Sequence, residues 1–355
     1  MPYKVPLSPR AERSFPRPLG DHAEILELDS AILADNPLHD PARRRVAVLR
    51  PPSGETEGRP LLLLLAGYMG SGPGEMLRGG PFEENLFQLF DRLVRSGACG
   101  TATLISPDCT TALGGNQYVN SSAMGRYDDY LLDELLPWAR ERYHPSTVGV
   151  LGQSSGGFGA LHLSLEHPGV FSAAASSAGD MGFEWTYLPE LPRAAREYRM
   201  HGGPEAFLAK LFGDPSVLRG PMSPSGAALI TAGMGASYSP VESDPGAFEL
   251  PVDWETGALV PEVWSRWTAF DPVGRVATPE GTAALRSLKH LHVTGSTGDE
   301  WYLDLGARWF ASVAQRHGVP VVHDEFEGGH FTRVPRFTSM FTKMVAALDA
   351  DGARA

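Results

Sequence analysis

The chain has 355 residues, 42 acidic against 30 basic side chains, a net charge of −12 and a hydrophobic content of 42%. The acid excess is a poor footing for nucleic acid or an anionic membrane, so a small molecule is the expected partner. The length suits one large α/β domain carrying an insertion, and the longest apolar run, Leu61–Ala66, is strand-sized rather than membrane-spanning.

Met1–Leu19 carries Lys4, Arg10, Arg13, Arg17 and several prolines but no apolar core, so it does not read as a signal peptide and a cytoplasmic protein is expected. Residues 1–20 read as an extended arm that lies on the surface or reaches the second subunit of a homodimer, with simple disorder an equal alternative. Cys99 and Cys109 are too few for a zinc cage or a disulfide framework, so two reduced thiols are expected.

His22–Leu33 and Arg44–Leu49 read as two antiparallel strands that begin the sheet of a domain covering residues 21–355. From Leu61 onward the pattern becomes strand, loop, helix, repeated. The strands are Leu61–Ala66, Thr101–Ile105, Thr147–Leu151, Val170–Ala175, Leu288–Thr294 and Val321–Phe326; helices are expected at Pro81–Arg95, Tyr127–Tyr143, Ala160–Glu166 and Trp301–Arg316. Pro137 must kink the second of these helices or restart it. Continuous apolar strands imply a mostly parallel sheet covered on both faces, with the loops at the strands' carboxyl ends gathered on one rim. Between residues 181 and 281 this rhythm stops and aromatic residues crowd in, among them Trp185, Trp254, Trp264 and Trp267. The segment reads as a lid folded over the rim; most of its aromatics should pack on one another, with Trp185 the first choice to touch a substrate.

Gly152-Gln153-Ser154-Ser155-Gly156 lies between an expected strand and an expected helix. That is the setting of a GxSxG turn, in which two glycines leave room for a strained serine raised above the sheet edge. The plainer alternative is a glycine-rich turn for close packing or phosphate binding. A serine needs an imidazole to take its proton and a carboxylate to orient that imidazole. Asp299 and His330 follow in the required order, each in a loop after a strand; Glu300 is the substitute acid if the register slips by one. Helix capping is the plainer role for Asp299. Donors for an oxyanion are expected from the backbone N–H of Ser155 and of Tyr68, with Met69 second in the Gly67–Gly72 run and also a candidate pocket residue.

With Gly152–Gly156, Gly298-Asp299-Glu300, Gly328-Gly329-His330 and the stretch Gly115–Ser121 through Glu134-Leu135-Leu136-Pro137, the chain resembles the "putative esterase" family of α/β-hydrolases, which includes esterase D, enterochelin-esterase-like proteins and mycolyltransferases. The likeness runs from about Arg44 to Leu348. It implies an α/β-hydrolase fold with Ser154, Asp299 and His330 as catalytic triad, and a serine carboxylesterase acting on a small-molecule ester with no metal and no cofactor. Acyl transfer to an alcohol or sugar, and a non-catalytic binding module on the same scaffold, are the alternatives. Ala66-Gly67 replaces the family's usual His-Gly, and Ser155 its methionine after the nucleophile, changes that bear on pocket shape and leave the backbone donors in place.

Overall fold

A computed structural model describes residues 17–80 and 83–349. Most of the expected arm and the start of the helix expected at Pro81 lie outside the described residues. The main sheet has eight strands: β1 (Ala23–Asp29), β2 (Arg43–Leu49), β3 (Leu61–Leu65), β4 (Thr103–Pro107), β5 (Val148–Gln153), β6 (Ala173–Ser177), β7 (His290–Ser296) and β8 (Val322–Phe326). Their order is β1-β2-β4-β3-β5-β6-β7-β8. β2 runs antiparallel to β1 and β4, and every other pairing is parallel.

The five leucines of β3 show why this sheet lies in the middle of the molecule. Side chains alternate along a strand. Leu61, Leu63 and Leu65 face one core with Leu131, Leu161 and Phe310, while Leu62 and Leu64 face another with Phe87, Phe90, Phe341 and Met344. Helices Ser155–Glu166 and Leu303–Arg316 cover the first face; Leu86–Arg95 and Val334–Asp349 cover the second. The expected helix over Tyr127–Tyr143 is divided, with a π-helical stretch Tyr130–Leu135 and an α-helical restart at Leu136–Tyr143. Pro137 occupies the first turn of the restart, where its missing N–H costs no intrahelical bond.

The register aligns the carboxyl ends. Gly152 pairs with both Leu65 and Ser176, Ser177 with Thr294, and Phe326 with Ser296. Six loops therefore open on one rim, after β3, β4, β5, β6, β7 and β8. Residues 181–281 are largely helical, and the Pro224–Tyr238 helix is buried along most of its length. Phe183, Tyr187, Tyr238 and Trp267 of this segment share a core with Phe158 of the Ser155–Glu166 helix. Cys99 and Cys109 are unpaired and buried, and burial raises both thiol pKa values, that of Cys99 to about 12. Among the described residues no helix is long and apolar enough to cross a membrane.

His292 on β7 is fully buried, with Nε2 2.9 Å from Asp324 Oδ2 on β8. Ser339 and Lys343 of the last helix reach the same oxygen. Burial pushes the imidazole pKa down to about 4 against the opposing pull of Asp324. The unfolded imidazole takes a proton near pH ~6.5. Between those values the unfolded chain binds more protons, so this contribution to stability is lost as pH falls. From about pH 7 to about pH 4.5 the native chain should lose about 2 kcal/mol more unfolding free energy than His292→Gln, measured by denaturant titration; equal losses would show that His292 is not the group responsible.

Candidate active site

Ser154 joins β5 to the Ser155–Glu166 helix with φ 56° and ψ −126°. Its N–H donates to the Ser177 carbonyl at 3.0 Å and its carbonyl accepts from Phe158 N–H at 2.9 Å. The turn closes only because its flanks are glycine. A Cβ on Gly156 would stand 2.1 Å from the Leu65 carbonyl oxygen, and one on Gly152 2.3 Å from the Gly156 carbonyl. Ser155 is the first residue of the helix, so its N–H has no carbonyl one turn earlier to bond and is left as a donor at the rim.

The loop after β3 packs against this turn. A Cβ on Gly67 would meet the Gln153 carbonyl at 3.3 Å and Ser154 Cβ at 3.5 Å. Gly70 N–H closes the loop on the Gly67 carbonyl at 2.9 Å, and Met69 takes φ 61°. The Tyr68 phenol anchors it by donating to the Leu113 carbonyl at 2.5 Å. It passes so close to the Pro224–Tyr238 helix that a Cβ on Gly233 would stand 1.8 Å from its oxygen.

Asp299 and His330 come together from the loops after β7 and β8. His330 Nδ1 lies 2.8 Å from Asp299 Oδ2, and the other carboxylate oxygen accepts Trp301 N–H at 3.0 Å. Both side chains are almost wholly buried. Glu300, the alternative acid, instead accepts the backbone N–H of His330 at 2.8 Å. The two loops are clasped by Thr297 N–H to Phe326 O and Gly298 N–H to Gly328 O, both at 2.9 Å. Trp301 packs edge-on against the imidazole, with ring centres 4.9 Å apart.

Other residues of this arrangement are not singled out by the motifs. Gln153 Nε2 donates to the His330 carbonyl at 3.0 Å, and the guanidinium of Arg336, fully buried, donates to the same oxygen and to Thr332 O. Burial lowers the Arg336 pKa to about 10, which leaves it charged at neutral pH. Asp180, in the loop after β6, accepts the Ser154 hydroxyl at 3.5 Å. An acid just past a strand end, on the rim between the serine and acid loops, was the available signal for it.

Ser154, Ser155, His330, Tyr68, Met69 and Asp180 line one cavity of about 460 Å³. Trp185 does not belong to its wall and is 50% exposed. The short helix Phe183–Thr186 turns about 100° per residue, so Phe183 and Tyr187 face the core and Trp185 between them faces out. Thr186 and Tyr187 line the cavity instead. Among the described residues no group of three or more His, Cys, Asp or Glu side chains could hold a metal ion.

A mostly parallel eight-stranded sheet with a strained serine at the strand-to-helix turn after β5 defines an α/β-hydrolase. The chain matches the family model described as "Putative esterase" over residues 41–348; it belongs to that family and is an esterase-type hydrolase. No curated protein sequence matches it significantly. Among solved structures it is similar to a ferulic acid esterase, with TM-score 0.56, 18% identity, and coverage of 92% of this chain and 99% of the other. It is also similar to a ferulic acid esterase from Anaeromyces mucronatus in complex with ferulic acid, with TM-score 0.53, 12% identity and coverage of 97% and 100%. An S-formylglutathione hydrolase from Agrobacterium tumefaciens gives TM-score 0.53 at 12% identity, with coverage of 93% and 96%.

Replacing Arg336 by Met keeps the stem but removes charged donors from the His330 loop. Unfolding free energy should fall by about 1.5–3 kcal/mol, read from denaturant midpoints at constant slope. A loss within experimental scatter would show that the loop holds its shape without the guanidinium.

Proposed function

We propose that the protein is a serine carboxylesterase that cleaves a small-molecule ester through an acyl-enzyme, with Ser154 as nucleophile, His330 as base and Asp299 as its orienting acid. The observation that carries this reading is the 2.8 Å contact between His330 Nδ1 and Asp299, with His330 and the strained Ser154 lining one cavity. With Nδ1 engaged, Nε2 is the nitrogen left to take a proton from the serine.

Ser154 first turns its hydroxyl from Asp180 to His330. Oγ then adds to the ester carbonyl as its proton passes to Nε2, and the imidazolium that forms is balanced by Asp299. The carbonyl oxygen, now an oxyanion, takes hydrogen bonds from the N–H groups of Ser155 and Tyr68. The tetrahedral adduct expels the alcohol, which takes the proton from Nε2. Water, deprotonated by the same nitrogen, then attacks the acyl carbon, and the adduct expels Ser154 Oγ, which takes the proton back from Nε2 as the acid is freed. A cavity of about 460 Å³ suits a small ester. Residues 181–281 act as a lid in this reading, because Thr186, Tyr187, Ile230 and Met234 supply part of the cavity wall.

Ser154→Ala should lower hydrolysis of a chromogenic short-acyl ester by about four to six powers of ten and abolish labelling by a fluorophosphonate; unchanged turnover rules the serine out. Asp299→Asn leaves a side chain that can impose the wrong imidazole tautomer and should lower kcat by about 10⁴. A loss below tenfold would move the orienting role to another acid.

A further inference from the structure

Asp180 is a buried carboxylate on the wall of the same cavity, and the mechanism above leaves it without a task. It follows β6 through Ala178, held at φ 43°, and is 5% exposed. Its Oδ2 accepts from Gln117 Nε2 at 3.0 Å, from the Tyr187 hydroxyl at 3.0 Å and from the Ser155 hydroxyl at 3.4 Å. Its Oδ1 has one partner, the Ser154 hydroxyl at 3.5 Å. All four donors are neutral groups. Burial pushes the Asp180 pKa up, while Tyr187, Gln117 and the proximity of His330 pull the other way.

The two oxygens differ in what the reaction does to them. Oδ2 keeps its partners throughout. Oδ1 loses its one donor at the moment of attack, because the Ser154 proton has to leave toward His330. A buried acceptor stripped of its partner opposes the step that strips it, unless another donor arrives. Because Asp180 lines the cavity, a substrate seated there can bring that donor.

We propose that Asp180 is a specificity-determining residue whose Oδ1 accepts a hydrogen bond from a hydroxyl that the substrate carries within a few bonds of the scissile carbonyl. The inference rests on the serine-esterase reading and names the substrate class of that site. The position of the hydroxyl follows from geometry. Once Oγ is bonded to the carbonyl carbon, an oxygen 3.5 Å from Oγ lies within hydrogen-bond reach of groups on the second or third atom from that carbon, on the acyl or the alcohol side. A hydroxyl fits better than an ammonium, since a cation there would stand near His330 as it becomes an imidazolium. The preference should arise in the transition state and so appear in kcat as well as in kcat/KM.

The test compares matched esters. On the acyl side, aryl 3-hydroxybutyrate is set against aryl butyrate; on the alcohol side, 2-hydroxyethyl butyrate against propyl butyrate. In the native protein at least one hydroxylated ester should exceed its plain partner in kcat/KM by about 10- to 100-fold, and which pair responds tells where the hydroxyl sits. Asp180→Asn and Asp180→Leu should bring that ratio to within about twofold of one, with fluorophosphonate labelling of Ser154 showing that the nucleophile is intact. Ratios near one for both pairs in the native protein overturn the proposal even if neither variant folds. An equal loss on hydroxylated and plain esters also overturns it and makes Asp180 a general positioning residue. Loss of labelling in the native protein itself would instead sink the serine-esterase reading.

Discussion

The carbonyl of Leu65 and the backbone of Gly156 cannot be separated without undoing the site. β3 and β5 pair with Leu65 opposite Gly152, and the helix after Ser154 starts hard against that carbonyl. The chain must then reverse within one residue, and Ser154 takes up the reversal at φ 56°. A side-chain-bearing residue in that conformation is strained by about 1–3 kcal/mol. The strain persists because relaxing it would lift the helix off the sheet. Phe158, Leu161 and Leu163 are fully buried there, each worth about 1.5–3 kcal/mol relative to exposure. Packing outweighs strain several times over, and the serine is fixed at the sheet edge as a result.

The imidazole and the hydroxyl are held in opposite styles. His330 is gripped at its ring by Asp299, at its N–H by Glu300 and at its carbonyl by Gln153 and Arg336. Those contacts come from the loop after β7, the strand that carries the serine, and the last helix, so the ring cannot drift without disturbing all three. Ser154 Oγ has only a long contact to Asp180. A hydroxyl can turn about one bond at little cost. In the proposed mechanism rigidity is thus concentrated on the group that is aimed, and freedom is left to the one that moves.

Much of this was legible in the sequence because strand ends and glycines leave local traces. GxSxG between a strand and a helix located Ser154, and the order of loops located Asp299 and His330. The choice between Asp299 and Glu300 was not legible, since it depends on which side chain the turn points inward; the structure gives the ring to Asp299 and the backbone N–H to Glu300. Arg336 was silent because a buried cation in an amphipathic helix has no pattern of its own. Trp185 misled because composition marks an aromatic segment but not the helical phase that turns one ring to solvent. The helix Gly72–Leu77 was likewise hidden, its glycines reading as loop although Ser71 caps it through Gly74 N–H.

Asp299, behind the imidazole, and Asp180, on the cavity wall, are held in different ways. Asp299 is saturated by the imidazole and by Trp301 N–H, so nothing a substrate carries can reach it. Asp180 is held from behind by Gln117 and Tyr187, and its free side faces the serine. Tyr187 reaches it from a cluster in which Phe183, Tyr238 and Trp267 pack ring against ring, with centres 4.7 to 6.2 Å apart. That cluster belongs to the segment between β6 and β7 rather than to the sheet. The positions of Ser154, Asp299 and His330 therefore rest on strand register, whereas the cavity wall beside them rests on aromatic packing, and Phe158 of the helix after Ser154 joins the two.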